Sequence, residues 1–192
     1  MIMSGRLSPD EPVTEAALAT ELAVSRTPVR EALLRLEADG VLVSAFARGF
    51  AVKPLDRREA AELYPILATL EGLAVRGSRR ERFDLADLRG LIDRIATSPD
   101  PVRRWQLDTT FHQALVAASD NRSLSELAGR MRTTLSRYEI EYARRVGNRT
   151  QADGQHREVV DAIESGDLVQ ASRLIANHWY KSMATVLGWL AN

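Results

Sequence analysis

The sequence contains no cysteine, and this absence excludes several kinds of site. Without thiols, the chain has no disulfides, no thiolate zinc sites and no cysteine nucleophile. The sequence also lacks an apolar run long enough to span a bilayer, and its N-terminus lacks the apolar segment of a signal peptide. We therefore expect a cytoplasmic protein that has no membrane partner.

Net charge is also absent, because 26 basic side chains balance 26 acidic ones. Proteins that bind polyanions nonspecifically are usually basic, so the composition gives no support to nucleic-acid binding. Apolar residues are not scarce, at 45% of the chain, and 192 residues allow one large or two modest domains. The composition predicts a globular protein with a substantial core.

The first 54 residues predict a winged helix-turn-helix. Residues 14–23 have the apolar spacing of a short helix, and residues 25–39 have that of a second helix, which ends at Gly40. Residues 41–43 and 50–53 predict two strands, with "ARG" at the tip between them. Two helices joined by a tight turn and followed by a hairpin form this DNA-binding unit.

Polar and basic residues surround the start of the second predicted helix and the tip of the hairpin. Arg26, Thr27 and Arg30 lie beside the apolar stripe of the helix, where guanidinium groups suit contacts to phosphates and base edges. Arg48 and Gly49 lie at the hairpin tip, which can approach a minor groove or a phosphate. The alternative is an ordinary amphipathic surface helix with solvated arginines.

The remainder of the chain, residues 55–192, predicts an all-helical bundle. Loop-forming stretches at 77–84, 97–101, 119–123, 147–154 and 165–167 divide it into about six helices, each with an apolar stripe. Pro65 is expected to kink or start the first of these helices, and the arginines of segment 129–145 to form a solvated face from which one reaches the pocket. The expected fold is therefore mainly α, a winged helix followed by a helical bundle.

All three histidines of the chain are predicted to point into the bundle. His112 lies one helical turn after Asp108 on the same face, and His156 and His178 align with apolar residues of two other helices. Three imidazoles and one carboxylate can hold a divalent first-row metal ion. The alternative is three core histidines, each hydrogen-bonded separately to a carboxylate or carbonyl.

Two longer stretches resemble a known family of proteins. "PDEPVTEAALATELAVSRTPVREALLRLEADGVLV" followed by "RG" is similar to the winged helix of GntR-family bacterial transcription regulators. "DTTFH", "SDN", "QHREVVDAIESGD" and "NHW" resemble the FCD effector-binding domain of the FadR branch of that family. The resemblance covers essentially the whole chain.

The resemblance implies a homodimer that binds a pseudo-palindromic double-stranded DNA operator. It implies DNA contacts from Arg26, Thr27 and Arg30 on the recognition helix, and from Arg48 and Gly49 in the wing. It also implies a divalent metal (zinc, nickel or manganese) at four ligands, namely Asp108, His112, His156 and His178. A small carboxylate effector would then complete the coordination and shift the DNA affinity of the dimer.

The sequence departs from the family pattern at three places. The family has a further helix before "SGRLSPDEPV", so we expect the first helix of the winged unit to be truncated. Ala16 stands where many members have an arginine that contacts phosphate, and Leu67 stands where many have an arginine that faces the effector, four residues before Glu71. A carboxylate effector would then depend more on the metal, or the effector would be less acidic.

The sequence thus predicts a ligand-responsive transcription regulator rather than an enzyme. Two alternatives stay open at this point: a regulator that senses the metal itself, and a metal-dependent hydrolase in which the same cluster activates water. Against the hydrolase, no general acid or base is evident beside the cluster. The chemical identity of the effector does not follow from the sequence.

Overall fold

The computed structural model describes residues 12–45, 49–146 and 150–191, the side chains of 143–153 excepted. The expected truncation before residue 12 and the proposed DNA contact of Arg48 lie outside the described residues. The chain divides into two compact units, Met1–Asp56 and Arg57–Asn192. The boundary expected from the sequence lies two residues earlier, after residue 54.

The first unit combines two helices with a small sheet. Its elements are β1 (Pro12–Val13), α1 (Glu15–Leu22), α2 (Arg26–Ala38), β2 (Leu42–Ala45) and β3 (Gly49–Val52). The sheet is antiparallel with the order β1-β3-β2, so the hairpin predicted from the sequence gains a third strand that was not predicted. The small core of this unit consists of Val13, Ala19, Val29, Leu33, Leu42, Phe50 and Val52.

Local signals fix the ends of both helices in this unit. The Thr14 hydroxyl accepts a hydrogen bond of 3.2 Å from the backbone N–H of Ala17, which caps α1. After α2, Gly40 adopts φ 71° and its N–H donates to the carbonyl of Glu37. A positive φ is easy for glycine, so Gly40 ends α2 where the sequence predicts.

The second unit is a bundle of six α-helices across its described residues. They are α3 (Arg57–Gly77), α4 (Leu85–Thr97), α5 (Pro101–Ala117), α6 (Arg122–Val146), α7 (Thr150–Glu164) and α8 (Leu168–Trp189), with a short 3-10 turn at Arg80–Arg82. Helix α3 packs most extensively against α8, and α8 also packs against α7. Helices α5 and α6 pack against each other and each against α3, so α3, α5, α7 and α8 enclose a common interior.

One helix boundary differs from the expectations. The predicted loop at 147–154 is too long, because α7 begins at Thr150 and continues through Gly154 to Glu164. Packing of α7 against α4 and α8 outweighs the weak helix propensity of that stretch. Of the two roles expected for Pro65, starting α3 is excluded, because Pro65 lies inside this helix; its carbonyl accepts a hydrogen bond of 2.8 Å from the Thr69 hydroxyl. Among the described residues, no helix is both long and apolar enough to cross a membrane.

Candidate metal centre and DNA-binding helix

Four potential metal ligands meet in the interior of the second unit. Helix α5 supplies Asp108 and His112, which are four residues apart and share one face, α7 supplies His156, and α8 supplies His178. One potential ligand atom from each residue lies within 4.8 Å of all the others. The histidines are 0–4% exposed, and the Asp108 side chain is 20% exposed. The structure therefore brings together the four residues selected from the sequence.

The spacing of these atoms suits a single divalent ion. Metal–ligand distances of 2.0–2.2 Å place the ligand atoms about 3–4 Å from one another around a zinc-like ion. Asp108 Oδ1 lies 3.4 Å from Nε2 of His156 and 3.8 Å from Nε2 of His112. All four ligand atoms lie within 4.8 Å of one another, so a bound ion would draw the most widely separated of them together by about 1 Å.

Glu71 fixes the tautomer of His112. The Nδ1–H of His112 donates to Glu71 Oε2 at 2.6 Å, and the indole N–H of Trp179 donates to the same oxygen at 2.8 Å. The lone pair of His112 is therefore on Nε2, a buried atom that has no hydrogen-bond partner. A carboxylate behind a ligand histidine is the usual second partner in metal sites, because it orients the ring and raises its basicity.

The other two imidazoles complete the cluster. The Nδ1–H of His178 donates to Gln155 Oε1 at 3.0 Å, which places the lone pair of His178 on Nε2. His156 is fully buried, and neither of its nitrogens has a hydrogen-bond partner. Because an unpartnered buried polar group is unfavourable, the hydrogen-bonded core histidine of the alternative reading does not describe His156.

Burial and nearby charges shift the pKa values of the cluster, and at Asp108 they act in opposite directions. Burial lowers the pKa of His156 to about 3, so its imidazole is neutral and able to ligate near neutral pH. Burial alone would raise the pKa of the Asp108 carboxyl, but electrostatic attraction to His112, when that ring is protonated, and to Arg132 outweighs burial and holds that pKa well below its usual range. A neutral imidazole and an ionised carboxylate are the forms that bind metal ions.

Arg132 of α6 is the cation that accompanies Asp108. Its Nη2 donates to Asp108 Oδ2 at 3.0 Å and to the Thr109 hydroxyl at 3.2 Å. Its Nη1 lies 3.9 Å from Glu71 Oε1. Arg132 is 6% exposed and lies at the cluster, which agrees with the expectation that one arginine of this segment reaches the pocket. Arg137 is 4% exposed, so the expectation of a solvated face is wrong for that residue.

The sequence analysis did not select Glu71 or Arg132 as site residues, although a signal for each was present. Glu71 interrupts an apolar stripe of α3 formed by Tyr64, Leu67, Ala68, Ala74 and Val75. Arg132 falls between the buried Ala128 and Leu135 at helical spacing. A charged residue at a core position of a helix indicates a buried partner, and each of these charges has its partner at the cluster.

The first unit exposes the residues selected as DNA contacts on α2. Arg26, Thr27 and Arg30 are all exposed, while Val29 and Leu33 anchor the opposite face of the helix in the core. The Arg30 side chain is 68% exposed, with its Nε 3.8 Å from a Glu15 carboxylate oxygen. Such a surface pair is weak, so it leaves the guanidinium able to contact a phosphate.

Gly49 has a structural role in addition to its predicted place in the wing. It starts β3 with φ 83°, and a Cβ added there would lie 2.8 Å from the carbonyl oxygen of Val13. The close approach of β1 therefore requires glycine at this position. The sequence analysis selected Gly49 for DNA contact alone, since β1 was not predicted.

Family profiles of known proteins match the sequences of both units. The profile of the bacterial regulatory proteins of the gntR family matches residues 1–52, and that of the FCD domain matches residues 62–181. The chain is 32% identical, over 92% of its length and 80% of the relative's, to a probable D-xylose utilization operon transcriptional repressor of Paenarthrobacter nicotinovorans. It is 25% identical, over 92% of its length and 86% of the relative's, to the HTH-type transcriptional repressor GlaR of Escherichia coli.

A solved structure shares the fold over the whole chain. The E. coli protein McbR/YncC superposes with a TM-score of 0.88 at 24% identity, covering 100% of this chain and 93% of that one. The family consists of transcription regulators that bind DNA operators, and its FCD domains bind small-molecule effectors. The metal-dependent hydrolase considered from the sequence is thereby set aside. The chain belongs to the gntR family of bacterial transcription regulators, in the group that carries an FCD domain.

Proposed function

We propose that this regulator binds a divalent metal ion through Asp108, His112, His156 and His178, and that a small carboxylate effector completes the coordination. Zinc, nickel and manganese all suit three imidazoles and one carboxylate. The observation that carries the proposal is His156, a fully buried imidazole with no hydrogen-bond partner at either nitrogen, within ligand distance of three further donors.

The second part of the proposal concerns DNA. A homodimer presents two copies of α2 to half-sites about one helical turn of DNA apart, with Arg26, Thr27 and Arg30 as contacts. Gly49 and Arg48 of the wing approach the adjacent phosphates or minor groove. The side chains of Arg26, Thr27 and Arg30 are all exposed on α2, which supports this assignment. Because two relatives are named repressors, we further propose that the protein represses its target genes.

Effector control follows from linkage between the two units. An effector changes operator affinity only to the extent that it binds the DNA-competent and DNA-incompetent arrangements of the dimer differently. When bound, the metal supplies a Lewis-acidic position to which a carboxylate oxygen can bind. Glu71 orients His112, and Arg132 holds one oxygen of Asp108.

The test is metal content per chain, measured by elemental analysis of untagged protein purified without added metal or chelator. We expect about one equivalent in the wild type, which is the stoichiometry of one four-ligand site. The variant His156→Ala should lose this metal, whereas Gln113→Ala, an exposed position on α5, should keep it.

Two outcomes would overturn the proposal, in whole or in part. A wild-type protein that contains no metal, and takes up none on titration with zinc, nickel or manganese, would refute the metal centre. If metal is bound, operator affinity is then measured with the metal present and small carboxylates added. Operator affinity that responds to the metal and to no carboxylate would identify a metal sensor instead of an effector sensor.

A further inference from the structure

One carboxylate oxygen joins helix α2 to the wing, the hairpin formed by β2 and β3. Glu37 lies in the last turn of α2, and its Oε1 accepts a hydrogen bond of 3.0 Å from the backbone N–H of Ser44 in β2. The Ser44 hydroxyl donates a second hydrogen bond to the same oxygen. Hydrogen bonds to an ionised carboxylate are stronger than those between neutral groups, so this pair ties the strand to the helix.

Ser44 lies on an edge of the small sheet. The strand order is β1-β3-β2, so among the described strands β2 pairs with β3 alone. Ser44 is opposite Phe50 of β3 in the register, but its N–H donates to Glu37, so this donor is directed away from β3. Donors on an edge strand otherwise depend on water or on another chain. Glu37 therefore takes the place of a neighbouring strand at this point of β2.

The bonds to Glu37 act on the outer half of β2. Leu42, the first residue of β2, belongs to the small core of this unit, and the N–H of Val41 before it donates to the carbonyl of Leu36 at 2.9 Å. Ser44 is two residues further towards the tip of the hairpin and is exposed. The outer half of β2 is therefore held by its pairing with β3, and the bonds to Glu37 connect this half directly to α2.

The position of Glu37 does not suit a direct contact to DNA. In a helix-turn-helix, the first turns of the recognition helix approach the base edges, and Glu37 is at the opposite end of α2 from Arg26 and Arg30. Its carboxylate would also be repelled by the phosphates of DNA. An effect of Glu37 on operator affinity would therefore pass through another part of the protein.

We propose that Glu37 is a positioning residue for operator binding, which holds the wing at the angle to α2 that lets both contact one half-site together. The wing contacts assigned to Arg48 and Gly49 are then made with little further loss of freedom, because a preorganised surface loses less entropy on binding. This inference rests on the wing contacts of the proposed function, and it adds to them a residue that touches no DNA.

The test is a double-mutant cycle between Glu37 and Arg48, measured with the whole chain and a DNA site selected by the wild-type protein from a random pool. Fluorescence anisotropy at one salt concentration gives the affinities. Glu37→Ala should weaken binding by about 3–10-fold, the range expected for the loss of such hydrogen bonds. In the Arg48→Ala background it should weaken binding by less than about twofold, because the contact that Glu37 positions is already absent. In the Arg30→Ala background it should keep its full effect.

Further variants separate positioning from charge and from folding. Glu37→Gln keeps an acceptor oxygen and should bind within about twofold of the wild type. Ser44→Ala removes one donor at an exposed position and should act as a weaker form of Glu37→Ala, which it replaces in the cycle if Glu37→Ala loses the protection of α1 and α2 from hydrogen exchange. Glu31→Ala removes an exposed glutamate of the same helix, and its effect should be equal in the wild-type and Arg48→Ala backgrounds.

Hydroxyl-radical footprinting adds a readout that a general loss of stability would not produce. Glu37→Ala should lose the protection of DNA on the wing side of each half-site and keep the protection given by α2. Equal loss on both sides would contradict a role through the wing.

The results distinguish two kinds of failure. An Arg48→Ala protein that binds the operator as the wild type does refutes the wing contact of the proposed function and this inference together. If Arg48→Ala binds more weakly, a Glu37→Ala effect that is equal in both backgrounds, or absent in both, refutes the inference alone. A Glu37→Gln protein that binds as weakly as Glu37→Ala refutes the argument from hydrogen bonds, and with it the role of Glu37.

Discussion

Glu71 contributes more to the candidate metal centre than its position outside the ligand set suggests. A single oxygen of its carboxylate accepts hydrogen bonds from His112 and from Trp179, which are on different helices. The other oxygen faces Arg132. One carboxylate thus fixes a tautomer, holds an aromatic ring and faces the cation, so its influence passes through side chains that a metal or ligand would touch.

His156 should make the free energy of unfolding of the metal-free protein depend on pH. Burial lowers its pKa to about 3 in the folded state, from 6.5 for an ordinary histidine. Because the unfolded chain takes up this proton first, the free energy of unfolding should fall as pH falls from 6.5 towards 3, by up to about 1.4 kcal/mol per pH unit. Urea unfolding of chelator-treated protein between pH 6.5 and 4.5, followed by tryptophan fluorescence, measures this slope.

Tryptophan fluorescence reports on the second unit, because the three tryptophans, at positions 105, 179 and 189, all belong to it. The variant His156→Gln removes the titrating group and should show a shallower slope over the same range. A slope that is the same in both proteins would mean that other groups carry the pH dependence.

Sequence patterns predict the four candidate ligands but not the residues that support them. Asp108 and His112 are four residues apart, and each histidine lies on an apolar stripe, so helical period alone places them inside. Glu71 and Arg132 are charged residues of helices, and charged side chains on helices normally face solvent. Their burial depends on a partner from another helix, and the sequence contains no record of which helices become neighbours.

The contact between β1 and β3 limits which residue can occupy position 49, at the start of β3. We expect Gly49→Ala to destabilise the winged unit by about 1–3 kcal/mol, because the alanine would be strained at positive φ and would collide with Val13. Hydrogen exchange of segments 12–13 and 49–52 should become faster. The tryptophan-monitored unfolding midpoint of the helical unit should not change.

Gly90 of α4 is a matched control for this substitution. A Cβ at Gly90 has nothing within 4 Å, so alanine there should stabilise the helix by about 0.5–1 kcal/mol. Exchange in the winged unit should stay as in the wild type. Equal exchange in Gly49→Ala and wild-type protein would contradict the role assigned to the β1–β3 contact.

Helices are predicted from this sequence more completely than strands. Local signals such as Thr14 before α1 and Asn121, whose side chain accepts from the N–H of Leu124, mark helix starts within a few residues. Strand β1 has two residues and pairs with a segment almost forty residues later. No local pattern encodes that pairing, so β1 and the constraint on Gly49 become visible only in three dimensions.

The first unit is proposed to contact DNA, and measurements of operator binding test this role. We expect Arg30→Ala to weaken binding to a DNA site selected by the wild-type protein from a random pool. If each copy of Arg30 neutralises one phosphate, the slope of log K against log salt should become shallower by about two per dimer. Titrations at several salt concentrations give both quantities.

Arg35 is the control for this substitution, since it is an exposed arginine at the opposite end of the same helix. Arg35→Ala should bind the selected DNA nearly as the wild type does, because only the first turns of a recognition helix reach base edges and adjacent phosphates. An unchanged affinity and salt slope in Arg30→Ala would show that the recognition face of α2 is assigned wrongly.

The candidate ligands come from three helices that are distant in sequence, in a chain that has no cysteine. An ion held by them would act as a reversible cross-link, because it fastens α5, α7 and α8 together only in the folded protein. The added stability would grow with the logarithm of the free metal concentration. Metal starvation would then increase the unfolded fraction and expose the regulator to proteolysis. Metal supply would thereby set how much of the protein a cell retains, separately from any effect on DNA affinity.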